Sequence, residues 1–129
     1  MWYIYTMNRY HKQIGFRQAD QEQLKALCEA FNSKKGFGKT DHALDRLKEK
    51  FNFIEVLQFL GGRVGFDYND VFEYYEENGS IRKVVFRMDF SKSQDIILVI
   101  ARNKTLVTAF LNNKNDSHRT LDKSNYARV

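Results

Sequence analysis

An α+β fold, with N-terminal helices packed on a four-stranded antiparallel β-meander, is what three features of this sequence predict. Three β-branched and aromatic runs of strand length, 84–90, 96–101 and 105–111, follow one another with short polar connections. Asn78-Gly79, the strongest short hairpin signal in the chain, joins them to an upstream run, Val71 to Tyr75. Ahead of the strands lie segments whose apolar residues recur at helical spacing. A chain of 129 residues is a single-domain length. It divides into 1–19, an N-terminal arm or edge strand; 20–60, the helical part; 71–112, the antiparallel sheet; and 113–129, a polar tail.

Taken in order, Trp2, Ile4 and Thr6 alternate with Tyr3 and Tyr5, the pattern of a short edge strand or a frayed helix. His11 stands among Arg9, Lys12 and Arg17, either a phosphate-contacting basic arm or a solvated connection. Asp20, with Gln23 three residues on, has the spacing of a capping box, and Leu24, Leu27, Cys28 and Phe31 continue as a helix to about Ser33. The glycine-bearing segment from Lys34 to Lys39 lacks the Gly-Lys-Ser/Thr ending of a nucleotide-binding loop and reads as a flexible connection. Thr40 or Asp41 caps a second helix that turns Ala43, Leu44, Leu47 and Phe51 to the core, and Phe53 to Leu60 forms a further short helix. His42 and Arg46, four apart, share one helical face, where both could address one phosphodiester and the guanidinium would lower the imidazole pKa. The alternative is an exposed first-turn histidine beside a surface arginine.

In the sheet, Asn103-Lys104 is a tight two-residue connection suited to left-handed backbone. Alternation puts Val84, Phe86, Met88 and Phe90 on one face and Lys83, Val85, Arg87 and Asp89 on the other. On the last run Thr108 and Asn112 alternate with Val107, Ala109 and Leu111. The expectation is therefore a solvated basic face carrying Lys83, Arg87, Thr108 and Asn112. Beyond it the polar tail bears His118, Arg119 and Tyr126.

Composition narrows the setting. Lys and Arg number 21 against 16 acidic residues, a net charge of +5, which favours anionic partners. Cys28 is the lone cysteine, so no intramolecular disulfide forms, in keeping with a reducing interior. No apolar run approaches the roughly 20 residues of a membrane span, and the first residues lack a signal-peptide pattern. No Cys pair exists, the histidines are far apart in sequence, and Asp67 to Asp70 lacks the glutamate of a calcium loop, so neither a metal nor another cofactor is expected.

His-Ala-Leu-Asp-Arg-Leu at 42–47, the antiparallel meander, and Leu-Val-Thr-Ala-Phe-Leu-Asn with its His/Arg/Thr-bearing tail at 106–120 together resemble a phage or bacterial-toxin nuclease. The resemblance is to the barnase–EndoU–colicin–RelE (BECR) nuclease superfamily, over about 41–126. It implies a metal-independent endoribonuclease of the bacterial or phage-infected cytoplasm, with tRNA or single-stranded RNA as substrate and an immunity or antitoxin protein as a further partner. It also implies His42 as the helix histidine, Arg87 as the basic sheet residue and Thr108 as the hydroxyl of the last strand. Attack by the RNA 2′-hydroxyl needs a base, an acid and positive charge around the phosphorane. On this reading His42 is the base, Arg46 and Arg87 clamp the phosphate, Thr108 donates to a non-bridging oxygen and His118 is the acid. Lys83, Asn112 and Arg119 guide the backbone, and Tyr126 stacks on an unpaired base. The competing expectation is a non-catalytic module that uses the basic sheet face to hold a nucleic acid or a host protein. The two part on whether His42 or His118 meets Arg87 and Thr108 at one site.

Overall fold

Leu24, Leu27, Cys28 and Phe31 form the buried stripe of the first helix, α1 (Gln18–Ser33). In the computed structural model, which describes residues 8–12, 15–34, 36–61 and 64–115, it is followed by α2 (Asp41–Lys50) and α3 (Phe53–Leu60). Thr40 caps α2 as expected, its hydroxyl accepting from the Ala43 N–H at 3.1 Å. A reciprocal box opens α3: Asn52 Oδ1 accepts from the Glu55 N–H, and Glu55 Oε2 accepts from the Asn52 N–H. The capping box expected at Asp20 and Gln23 does not form. The helix starts after Arg17, and Asp20 is buried in its first turn, accepting from the Tyr74 hydroxyl at 2.7 Å and Arg17 Nε at 2.8 Å. Gln23 instead ties the helix to the sheet, accepting from the Ile81 N–H at 2.9 Å.

The meander is present as β3 (Val71–Glu77), β4 (Ser80–Asp89), β5 (Gln94–Ala101) and β6 (Thr105–Asn113). Asn78 and Gly79 both take positive φ, 52° and 81°, the backbone of the two-residue hairpin their dipeptide signals. At the other tight turn the left-handed residue is Lys104, with φ 66°, while Asn103 Oδ1 accepts from the Thr105 N–H.

Two strands join the four that were expected. β1 (Asn8–His11) pairs antiparallel with β3, and β2 (Gly38–Lys39) pairs parallel with β6, giving the order β1-β3-β4-β5-β6-β2. Within 34–39, expected as a flexible connection, residues 38–39 are instead paired into the sheet. Phe37 is buried, and a Cβ at Gly38 would lie 2.6 Å from Thr105 Oγ1, so the close approach of β2 to β6 requires glycine there. The edge strand expected within 2–6, and the tail beyond 115, lie outside the described residues.

One sheet face meets the helices. Val71, Tyr74, Ile81, Val84, Phe86, Ile96, Leu98, Ile100, Leu106 and Ala109 join the helical stripe in a single core that includes Ala43, Leu47 and Val56. Phe86 is fully buried, with the rings of Phe31 and Phe66 at 6.3 and 4.8 Å. Three irregularities set which residues share this face, one of them at Val107, which turns Leu106 and Thr108 to opposite sides. The pairing skips at Phe72 and again at Arg82, so Val71 and Glu73 point to opposite sides, as do Ile81 and Lys83. No helix among the described residues is long and apolar enough to cross a membrane.

Candidate functional site

The face turned away from the helices carries the polar chemistry, and the strand register fixes its members. Lys83 lies opposite Tyr75 and Ala101, Arg87 opposite Ile97, Thr108 opposite Val99 and Asn112 opposite Asp95. Lys83, Arg87, Thr108 and Asn112 thus share one face as expected. This face is not, however, the solvated basic surface anticipated. Val85 and Ile97 lie buried between the polar residues. Nor is its charge free. Arg87 Nε meets Asp95 Oδ2 at 2.7 Å and Arg87 also donates to the Asn113 carbonyl at 3.0 Å, while Lys114 bridges Asp89 and Asp95.

His42 and Arg46 lie elsewhere. Both are exposed on α2, whose Ala43 and Leu47 pack into the core beside β6, so the pair sits on the helix side of the sheet. Arg46 faces Glu49 at 4.0 Å. The sheet therefore separates the expected base and one expected clamp from Arg87 and Thr108, and the site predicted around His42 is not assembled. The physical reason is the helix period: Ala43 and Leu47 point to the sheet, which turns their neighbours His42 and Arg46 to solvent. His118, Arg119 and Tyr126 lie outside the described residues.

What the sequence reading missed is the half of the face supplied by β1 and β3. Antiparallel pairing sets His11 opposite Glu73 and Arg9 opposite Tyr75. Glu73 is 0% exposed and His11 1%. Arg9 Nε comes within 2.9 Å of Glu73 Oε1, and its guanidinium lies 4.7 Å above the Tyr75 ring. The guanidinium and carboxyl approach without hydrogen-bond alignment; among the described residues neither carboxyl oxygen of Glu73 accepts a hydrogen bond. Burial pushes the Glu73 carboxyl up to about 8, with Arg9 opposing only in part. A buried carboxyl left without hydrogen bonds and shifted toward neutrality is a recognised mark of a functional position.

The cluster reaches an opening through Phe72. The bulged Phe72 ring touches the His11 imidazole edge-on at 4.2 Å and lies 5.4 Å beneath the Arg87 guanidinium. Phe72 also lines a pocket of about 280 Å³, with Lys12, Asn69, Asp70, Arg87, Asp89 and Asp95 among others. Burial, with Asp67 nearby, raises the Asp70 carboxyl, and Lys12 counters it. The arrangement offers a proton-bearing carboxyl, an imidazole and two guanidinium groups on adjoining strands, beside a polar opening. Among the described residues no three His, Cys, Asp or Glu side chains are placed to hold a metal ion.

In sequence, the one signal for Glu73 was a single acidic residue within the Val71-to-Tyr75 strand run. Residues 8–11, Asn-Arg-Tyr-His, carry no strand pattern that would have announced β1. Comparison of this chain with protein-family models, with curated proteins and with solved structures finds no match.

Proposed function

We propose that the protein is an endoribonuclease of the BECR type that cleaves RNA by 2′-hydroxyl attack, with its centre on the sheet face away from the helices. The observation that carries this reading is the buried, unbonded Glu73 carboxyl set opposite His11 and beside Arg9, on the same face as Arg87 and Thr108. The His42 and Arg46 roles are set aside.

In this mechanism the 2′-oxygen attacks phosphorus and the bond from phosphorus to the 5′-oxygen breaks. His11 accepts the 2′-hydroxyl proton. Glu73, whose raised pKa keeps it protonated near neutrality, gives its proton to the departing 5′-oxygen. The products are a 2′,3′-cyclic phosphate and a free 5′-hydroxyl. Arg9 and Arg87 balance the charge of the phosphorane, and Lys83, Thr108 and Asn112, farther across the face, guide the backbone. RNA enters by the pocket of Lys12 and Arg87, displacing the Phe72 ring, which lines that pocket and touches His11.

The test is cleavage of labelled tRNA and single-stranded RNA in EDTA by the parent and by Glu73→Gln, Arg87→Ala and His42→Ala. The parent leaves cyclic phosphate ends; Glu73→Gln and Arg87→Ala each slow cleavage by about 100-fold or more, and His42→Ala leaves it unchanged. Full activity in Glu73→Gln overturns this site. Absence of cleavage by the parent favours the second reading, a non-catalytic binding module, to which the exposed apolar side chains of α3 also point.

A further inference from the structure

The cations of the sheet are matched by acids at one end and unmatched at the other. Around the pocket that Phe72 lines, Arg87 pairs with Asp95, Lys114 bridges Asp89 and Asp95, and Lys12 counters Asp70. At the opposite end of β4 stand Arg82 and Lys83, with Arg102 beside them. Lys83 lies opposite Ala101, and the Arg102 N–H donates to the Arg82 carbonyl at 3.0 Å, which puts all three at one level on neighbouring strands. Arg82 and Arg102 are exposed and Lys83 is half-buried. The ion pairs among the described residues include none of the three. The turns at this end, 77–80 and 102–104, hold one acid, Glu77. Arg102 is nonetheless held in place, by neutral acceptors: Gln23 Oε1 at 2.7 Å, and Ser80 Oγ and the Ile81 carbonyl, both at 3.1 Å. Its charge is thus fixed over the end of the sheet with no carboxylate to meet it.

In-line attack gives the RNA a direction over this charge. The 2′-oxygen, the phosphorus and the departing 5′-oxygen lie close to one line, and at the proposed centre that line runs from His11 on β1 to Glu73 on β3. Because β3 lies between β1 and β4, the departing nucleotide lies toward β4. From there the strand can continue toward Arg87, whose charge Asp95 takes up, or toward Lys83 and the unmatched arginines. We propose that RNA on the 3′ side of the scissile bond runs over Lys83 to Arg82 and Arg102, its phosphates supplying the negative charge that the protein leaves out there. The opening beside Lys12 is left to the 5′ nucleotide. This inference rests on the sheet face being the cleavage centre, and adds that the substrate is gripped from its downstream side.

The test uses DNA oligonucleotides carrying a single ribonucleotide, so that 2′-hydroxyl attack is confined to one bond, with the flanking chain shortened on either its 3′ or its 5′ side. Values of kcat/KM are measured for the parent and for the Arg82→Ala/Lys83→Ala double variant, with circular dichroism confirming that the variant is folded. In the parent, shortening the 3′ side lowers kcat/KM about tenfold or more, and shortening the 5′ side changes it about twofold or less. The double variant cleaves the long substrate about as slowly as the parent cleaves the one shortened on its 3′ side, and a further 3′ shortening costs it little. Equal dependence on the two sides, a larger dependence on the 5′ side, or a 3′ dependence that survives in the double variant overturns the proposal and leaves the cleavage centre standing. Absence of cleavage of every oligonucleotide by the parent overturns the cleavage centre and the proposal with it.

Discussion

Glu73 and Glu76 sit on the same strand at 0% and 5% exposure, yet burial pushes the first carboxyl up to about 8 while the second is held below the ordinary carboxylate range. Burial works against ionisation of both. At Glu76 it is overcome by the Gly79 N–H, the Asn8 side chain, the nearby Arg17 guanidinium at 3.3 Å and the Tyr10 hydroxyl at 3.2 Å. At Glu73 one misaligned guanidinium is the described counterweight. Hydrogen bonds to the charged form, more than distance from water, decide whether a buried acid stays ionised. The Glu76 cluster is therefore built for stability: Tyr10 and Tyr74 stack at 4.9 Å, Arg17 lies 4.2 Å from the Tyr10 ring, and Asp20 accepts from both Arg17 and Tyr74. The Glu73 cluster is held at a cost that stability alone does not explain.

The largest effect that would sharpen this contrast is the pH dependence of folding. In the unfolded chain Glu73 releases its proton near 4.5, whereas in the folded chain it keeps it to about 8. Its contribution is therefore fully present below pH 4.5 and is lost as pH rises through 8, a decline on the order of 4 kcal/mol. Urea unfolding of the parent and of Glu73→Gln at pH 5 and pH 8.5 isolates this term: the substitution removes the decline. An equal fall in both proteins would mean that Glu73 is already ionised at the lower pH.

Glu76 has the opposite sign. Its folded pKa is depressed, so its stabilisation is present above pH 4.5 and is lost as pH falls through the folded value. Glu76→Gln should cost about 2 kcal/mol at pH 7. Chemical unfolding at pH 7 and pH 3 should show that deficit shrinking at the lower pH, and a deficit unchanged by pH would break the comparison. A smaller effect, about 1 kcal/mol, is expected for Tyr74→Phe, since Asp20 loses one donor and retains Arg17. Its thermal melt should drop without altering the pH profile or RNA cleavage. A Tyr74→Phe protein with a changed pH profile would tie the two clusters into one network.

These differences also mark what sequence reasoning could reach. Alternation along 84–90 placed Lys83 and Arg87 together, and counting along the last run added Thr108 and Asn112, because pairing is uninterrupted from Lys83 to Asp89 and from Thr108 to Asn113. The faces of β3 were not read from the sequence, and simple alternation would have misassigned them. The skip at Phe72 lets Val71 enter the core while Glu73 points away, and a single added residue reverses every assignment beyond it. His42 misled for a different reason: helical spacing shows which side chains neighbour one another, but not which side of a sheet their helix covers.

The sequence by itself determined the helices, the four long strands and the turn at Asn78-Gly79, because apolar periodicity and left-handed turn residues act within a few neighbours. Tertiary structure alone decided that Asn8–His11 would form an edge strand, that His11 would face Glu73, and that this pair would share a surface with Arg87. Those outcomes depend on pairing between residues more than 60 positions apart in the chain and on a bulge that resets the face, neither of which leaves a local trace.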